Sequence, residues 1–272
     1  MDLILSGLGP EHVVLDLGCG SGSFQYKRYK PYIVGVDLYV PLEHCGVERV
    51  SYVRAASEDL PISTGSMDAV VSNHSMEHMA DFRRSLSEIR RVLKPTGLLW
   101  ISVPNGFGFD DALYRFLYKG GGHVNRFRYD SFQKDVESIT GLSLLQSTVL
   151  MSGFVYTRRP ESIDCLPRRL KMVHRSRAVS RLLPFVLNGM ARTLDRTLHT
   201  HVAMYGWGFV FGPQGATFPR LPSFYNVCSG CGAGHSVATL RQTRYRSMGI
   251  PFYRCPTCNQ QNLFFTPPKC FE

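Results

Sequence analysis

The stretch Val13 to Gly22, V-V-L-D-L-G-C-G-S-G, limits what this chain can fold into more than any other. Val13, Val14, Leu15 and Leu17 make a short, β-branched, nearly continuous apolar run, the pattern of a strand covered on both faces in a parallel sheet. Gly18, Gly20 and Gly22 then allow a sharp turn and a close backbone approach with no Cβ in the way. Ser23 to Tyr29 is expected to open a helix, whose unsatisfied N–H groups and positive end face whatever the loop holds. Strand, glycine turn and helix in this order predict a ligand pocket. The alternative is an ordinary glycine turn with no ligand.

The neighbouring segments bear on that choice. Read from Gly18, a dinucleotide fingerprint needs glycine or alanine at position 23, and Ser23 stands there. Tyr32 to Val36 predicts a second buried strand, ending in Asp37, fifteen residues after Gly22. Met67 to Ser72 predicts a further strand. Asp81 to Leu93 predicts a helix with Phe82, Leu86, Ile89 and Leu93 at helical spacing, stopped by Pro95 and Gly97. Strands over Leu98–Val103, Leu142–Leu150 and Tyr205–Gly212 and a helix over Asp130–Thr140 complete an alternation that implies a doubly wound parallel sheet.

With Asp16 two residues before the first glycine, the loop reads D-x-G-x-G-x-G and resembles motif I of the class I S-adenosylmethionine-dependent methyltransferases. The resemblance runs in register from Val13 to Asn105. It implies a Rossmann-like, seven-stranded, mostly parallel sheet in an α/β protein, with Asp16, Gly18, Gly20 and Gly22 at the cofactor and Asp37 on its ribose hydroxyls. Tyr52 to Pro61, Y-V-R-A-A-S-E-D-L-P, is similar to the family's third-strand segment, where an Asp and its successor hold the adenine. Ala56 replaces that Asp, which leaves Ser57 and Glu58 as the adenine contacts. Asn73 and His74, after the fourth strand, correspond to the family segment that borders the methyl group.

Four of the eight cysteines are paired in spacing: Cys228–Cys231 and Cys255–Cys258, twenty-three residues apart. Each pair lies among turn formers, C-S-G-C-G and C-P-T-C-N, so two knuckles can present four thiolates to one metal. The pattern resembles a zinc ribbon. Structural Zn2+ is expected, with a redox or disulfide pair and an iron site as alternatives. His235 is a further possible ligand. The expected organisation is a methyltransferase domain over 1–213 and a zinc-ribbon-like module over 214–272, joined by the linker Pro213 to Pro222.

Charge separates these parts. The segment 158–199, expected as a basic helical insertion divided into two helices by Pro184, has ten Lys or Arg against three acidic residues. The second of those helices is expected to turn Leu183, Leu187, Met190, Leu194 and Leu198 to one face. From 214 onward there are six basic residues against one acidic, and the whole chain carries +10. The excess suits an anionic partner: an anionic small-molecule acceptor, RNA, or an acidic membrane touched peripherally. The alternative is a solvated helix face. No apolar run approaches the ~20 residues of a membrane span, and no basic stretch precedes an apolar core, so a cytoplasmic, reduced location is expected.

For chemistry, an in-line methyl displacement needs alignment of the nucleophile and exclusion of water, and a base only where the acceptor must lose a proton. His123, in G-G-G-H-V-N, and His74 are the candidate catalytic residues. A loop hydrogen bond or a cap on the helix near Tyr129 is the structural alternative for His123. The function expected is O- or N-methylation of a small molecule or biosynthetic intermediate; the alternative is RNA methylation, with the insertion and the ribbon holding phosphates.

Overall fold

The computed structural model describes residues 1–40, 48–158 and 176–268. Seven strands form the main sheet: β1 (Val13–Leu17), β2 (Tyr32–Asp37), β3 (Val50–Arg54), β4 (Met67–Asn73), β5 (Leu93–Pro104), β6 (Ser143–Met151) and β7 (Met204–Gly212). Their order is β3-β2-β1-β4-β5-β7-β6. β1 pairs in parallel with both β2 and β4, and β3 and β5 extend the parallel ladder on either side. This is the doubly wound sheet expected from the sequence. The chain direction across the sheet reverses between β1 and β4, which opens a crevice at their carboxyl ends.

The apolar runs behave as central strands should. Val14 and Leu15 of β1 and Ala69, Val70 and Val71 of β4 have no exposed surface. Ile4 and Leu5, from the short helix α1 (Asp2–Ser6), complete the same core. Helix α2 (Phe82–Val92) starts where Asp81 accepts the N–H groups of Arg83 and Arg84 at 3.1 and 3.0 Å. It stops at Val92, before Pro95, and the residues between Leu93 and Leu98 are taken up in an irregularity of β5 opposite Met67 and Ala69. Helix α4 (Tyr129–Thr140) packs on α2, joined by a bidentate Arg83–Asp135 pair at 2.8 and 2.9 Å.

Two expectations are corrected. Ser23 to Tyr29 is not a helix: only a 3-10 turn forms, over Tyr26–Arg28. Phe24, Tyr26 and Tyr29 all pack against the core, and an α-helix would send Phe24 and Tyr26 to opposite faces. Pro184 does not break the insertion, because α5 (Arg177–Leu198) runs through it as one helix. A proline removes one N–H and costs ~3 kcal/mol; here its ring is buried beside Asn188, Ala191 and Arg192 on the packed side. The part of the insertion over 159–175 lies outside the described residues. Of the five residues expected on one face of α5, Met190, Leu194 and Leu198 are exposed and Leu183 and Leu187 half-buried, while Asn188 and Arg192 point in.

The chain groups into two compact units, one of 1–104, 124–148 and 207–221, the other of 105–123, 149–206 and 222–272. The segment expected as a linker is partly core, since Leu221 is buried and Phe218 packs in the first unit. The second unit holds α3 (Phe109–Leu117), α5 and the cysteine-bearing segment. That segment consists of a hairpin of β8 (Asn226–Val227) and β9 (Gly234–His235), the turn of helix α6 (Val237–Leu240), and a three-stranded sheet of β10 (Arg244–Ser247), β11 (Ile250–Arg254) and β12 (Gln261–Leu263). It packs on α5, where the Asn188 side chain donates to Val227 O at 3.1 Å. Among the described residues no helix is long and apolar enough to cross a membrane.

Candidate functional site

A cavity of about 630 Å3 opens at the carboxyl ends of β1, β2 and β4, at the crevice where the strand order reverses. Its lining includes Gly18, Asp37, Ser57, Glu58 and His74, five of the residues singled out in the sequence, together with Ala56 and His78. The loop after β1 is tied to β2 by the N–H groups of Gly18 and Cys19, both donating to Val36 O, at 2.8 and 3.1 Å. Gly18 is left-handed, at φ +73°, and a Cβ there would lie 2.3 Å from that of Ser75. Only glycine fits. Asp37, at the end of β2, accepts from Gly20 N and Tyr39 N, both at 2.9 Å, which fixes its carboxylate at the cavity mouth.

Other expected residues lie behind this wall. Asp16 is fully buried; its Oδ2 accepts from Tyr26 Oη at 2.6 Å and Ser23 N at 3.1 Å. Its Oδ1 has no hydrogen-bond partner among the described residues. Burial raises its pKa above the ordinary carboxylate value, against the lowering effect of Tyr26 and Ser23. An orphaned acceptor on a desolvated carboxylate suits a cationic neighbour. Tyr26 is a site residue the sequence reading missed, and only its place ten residues after an acidic strand end hints at it. Gly20 and Gly22, both at positive φ, shape the loop without lining the cavity. Asn73 accepts from Ser102 Oγ at 2.7 Å, and His74 follows it in the left-handed region, at φ +53°. Glu58 divides its role, since its Oε1 accepts from Asp81 N at 3.0 Å.

His123 belongs to the second unit. Gly120, Gly121 and Gly122 all have positive φ and turn the chain back onto α3. There His123 Nδ1 meets Asp111 Oδ1 at 2.7 Å, and Arg115 Nε donates to Asp111 Oδ2 at 2.6 Å. The Tyr114 ring stacks on the imidazole at 4.8 Å. Burial raises the Asp111 pKa, but His123 and Arg115 outweigh it and hold the carboxyl below its usual range. A fixed carboxylate on one ring nitrogen sets the orientation of the imidazole. The sequence reading missed Asp111; its signal is Asp111–Arg115 at i, i+4 just before the glycines.

The four paired cysteines converge. Their sulfurs lie within 4.8 Å of one another, with Cys228–Cys258 at 3.6 Å and Cys231–Cys255 at 3.7 Å. A tetrahedron of 2.3 Å metal–sulfur bonds has edges of about 3.8 Å, and a disulfide needs about 2.05 Å. Gly230 N and Asn262 Nδ2 point at Cys228 Sγ, at 3.2 and 3.4 Å. His235 Nε2 lies 3.2 Å from Cys255 Sγ, beside the cluster as a hydrogen-bonding neighbour. Burial raises the Cys255 thiol, but the Cys258 and Thr257 N–H groups and His235 lower it further, to about 6. Burial pushes Cys231 the other way. Four thiolates this close ionise together only around a cation, so the donor set fits a thiophilic metal.

A family model described as a methyltransferase domain matches residues 15–101. Among similar proteins, YcgJ, an uncharacterized methyltransferase of Bacillus subtilis, is 29% identical over 135 residues, 46% of this chain and 51% of its own. A malonyl-[acyl-carrier protein] O-methyltransferase of Hahella chejuensis is 34% identical over 136 residues, 45% of this chain and 48% of its own. A demethylmenaquinone methyltransferase of Corynebacterium urealyticum is 33% identical over 118 residues, 41% of this chain and 51% of its own. The chain thus spans about half the length of these relatives. In fold it resembles phosphoethanolamine N-methyltransferase 2 of Haemonchus contortus, solved with phosphomonomethylethanolamine and S-adenosylhomocysteine. The TM-score is 0.53 at 19% identity, over 77% of this chain and 51% of that one. Residues 15–101 thus match a methyltransferase domain by sequence, and the sheet has the Rossmann-like fold of solved methyltransferases.

Proposed function

We propose that this chain is an S-adenosylmethionine-dependent methyltransferase acting on O or N of an anionic small molecule or biosynthetic intermediate. The observation that carries the reading is the crevice at the β1/β4 switch point, with Asp37 fixed at its mouth and the unpartnered Asp16 oxygen buried behind its glycine loop. Asp37 takes the ribose hydroxyls. Ser57 and Glu58 take the adenine, Asp16 offsets the ammonium, Gly18 lines the wall, and Gly20, Gly22 and Asn73 support the loop and strand end behind it. The cofactor, when bound, supplies a methyl group already activated on a sulfonium. The chain then has to align the acceptor and exclude water. His74, on the cavity wall, and His123, oriented by Asp111, are the groups assigned to receive an acceptor proton.

The acceptor class draws on relatives named for malonyl-[acyl-carrier protein] and demethylmenaquinone, both biosynthetic intermediates. The basic excess of 158–199 favours an anionic one. Zn2+ on Cys228, Cys231, Cys255 and Cys258 has four protein ligands and no open position, which makes it structural. On this reading 1–213 is the methyltransferase domain and 214–272 the zinc-ribbon module. RNA as acceptor has one observation in its favour: on the ribbon sheet Tyr245 stacks on Phe252 at 5.9 Å, with the Arg254 guanidinium 6.0 Å from the Tyr245 ring. Phosphate binding there would weaken steeply with salt, while a pocketed metabolite would not.

The test is calorimetry of the full chain with S-adenosylmethionine and S-adenosylhomocysteine, followed by transfer of a labelled methyl group to candidate acceptors. Both compounds should bind, and Asp37→Ala should weaken them by at least about tenfold, the worth of one charge-assisted hydrogen bond. Absence of heat with both, alongside binding of a nicotinamide dinucleotide, would overturn the proposal.

A further inference from the structure

Helix α5 is packed inside out. Its inward side carries Asn188 and Arg192, which are 7% and 1% exposed, beside the small apolar Pro184 and Ala191 and the half-buried Leu187, while Leu182, Val186, Met190, Leu194 and Leu198 are 57%, 40%, 59%, 38% and 65% exposed. The polar side is well anchored within its own unit. Asn188 Nδ2 donates to Val227 O, Arg192 Nη2 donates to Ser152 O, each at 3.1 Å, and the Arg192 guanidinium lies 4.8 Å from the Tyr225 ring. Burying an arginine to leave five large aliphatic side chains in water is unfavourable for an isolated molecule, and such apolar exposure marks a contact surface.

We propose that the exposed face of α5 seats on the surface of an anionic phospholipid membrane. Three observations choose this occupant. The five residues are at successive i+4 positions and all aliphatic, so they offer acyl chains apolar volume and offer a nucleobase no ring to stack on. Arg181 and Arg196 of the helix itself are exposed, which complements anionic head groups, and they belong to a segment, 158–199, whose sequence has ten basic residues, one of them the buried Arg192, against three acidic. A second copy of this chain would bring the same positive charge to the contact and be repelled. No described helix is long and apolar enough to span a bilayer, so α5 lies on the interface.

The experiment is co-sedimentation of the full chain with vesicles of phosphatidylcholine alone and of phosphatidylcholine with phosphatidylglycerol, at low and high salt. The chain should partition onto the anionic vesicles, less onto neutral ones, and less at high salt. The triple variant Leu182→Ser, Met190→Ser, Leu198→Ser should lose at least about tenfold in partitioning, the order expected when three exposed aliphatic side chains no longer leave water. These positions are mostly exposed, so its melting temperature should stay close to the parent's. Arg181→Gln with Arg196→Gln should weaken binding to the anionic vesicles alone. No partitioning onto anionic vesicles, or partitioning that the triple variant leaves unchanged, overturns the proposal. So does a dimer in sedimentation equilibrium that the triple variant dissociates, or an RNA complex that the same variant abolishes. No readout here depends on methyl transfer, so failure of this proposal and failure of the enzymatic one are separable.

Discussion

Gly18→Ala is the sharpest perturbation of the cofactor loop. The residue sits at φ +73°, and an added Cβ would be 2.3 Å from Ser75 Cβ and 2.8 Å from its Oγ. The left-handed backbone alone costs an alanine about 1–2 kcal/mol. Ser75 has little room to yield, because its Oγ donates to Leu17 O at 2.9 Å and meets Ser72 Oγ at 2.6 Å, both buried. The clash is with the root of a short side chain, so an overpacking penalty of about 1–3 kcal/mol adds to the backbone strain. Gly65 is the matched control: φ is +63°, and an added Cβ has nothing within 4 Å. Gly65→Ala should therefore show the backbone contribution alone.

The measurable quantity is the difference between the two variants, about 1–3 kcal/mol, which for a chain of this size is roughly 2–12 °C in melting temperature. Calorimetry with S-adenosylmethionine should show weakened binding for Gly18→Ala and unchanged binding for Gly65→Ala, since only Gly18 lines the cavity. Adding Ser75→Gly to Gly18→Ala removes the opposing Cβ, and the double-variant cycle should recover the steric part. Equal melting temperatures for the two single variants would refute the claim that Ser75 holds the loop rigidly, and the cavity would lose its pre-formed wall.

Two further outcomes follow from the second unit. Metal analysis of the purified chain should find one zinc per molecule; Cys255→Ser or a strong chelator should remove it and unfold the cysteine segment, and full retention of its melting transition without metal would contradict the structural role. Burial pushes Asp110 up to about 6, above its ordinary 3.8, with Ser152 and Tyr156 only partly offsetting it. The stability it contributes is present in full below pH 3.8 and is lost as pH rises through about 6, a loss of about 3 kcal/mol. Asp110→Asn should flatten that decline in urea midpoints measured from about pH 4 to pH 7, and an unchanged slope would assign the decline elsewhere.

What the sequence disclosed is what depends on short-range geometry. Gly18, Asp37 and the paired cysteines are legible because a left-handed turn, a strand-end carboxylate and a two-residue knuckle each restrict residue type over a few positions. The partners these groups need are set by chain crossings that no local pattern records. Tyr26 reaches Asp16 because the segment after the loop stays out of a helix to bury three rings. Asp111 meets His123 because three left-handed glycines fold the chain back.

The orientation of α5 is the instructive reversal. Its apolar spacing places leucines on one face, and the general rule that such a face turns to the core assumes water on the other side. The helix instead spends its polar residues on the protein: Asn188 meets the Val227 carbonyl and Arg192 meets Ser152, buried acceptors left over from β8 and from the end of β6. Unpaired buried carbonyls would be more costly than exposed leucines, because an apolar side chain in water forfeits only its transfer free energy while an orphaned polar group forfeits a hydrogen bond as well. The same pattern that misleads about packing thereby becomes informative about surroundings: an amphipathic helix whose polar side is held by its own fold, through Asn188 Nδ2 and Arg192 Nη2, leaves its apolar side for a surface other than the protein's own core.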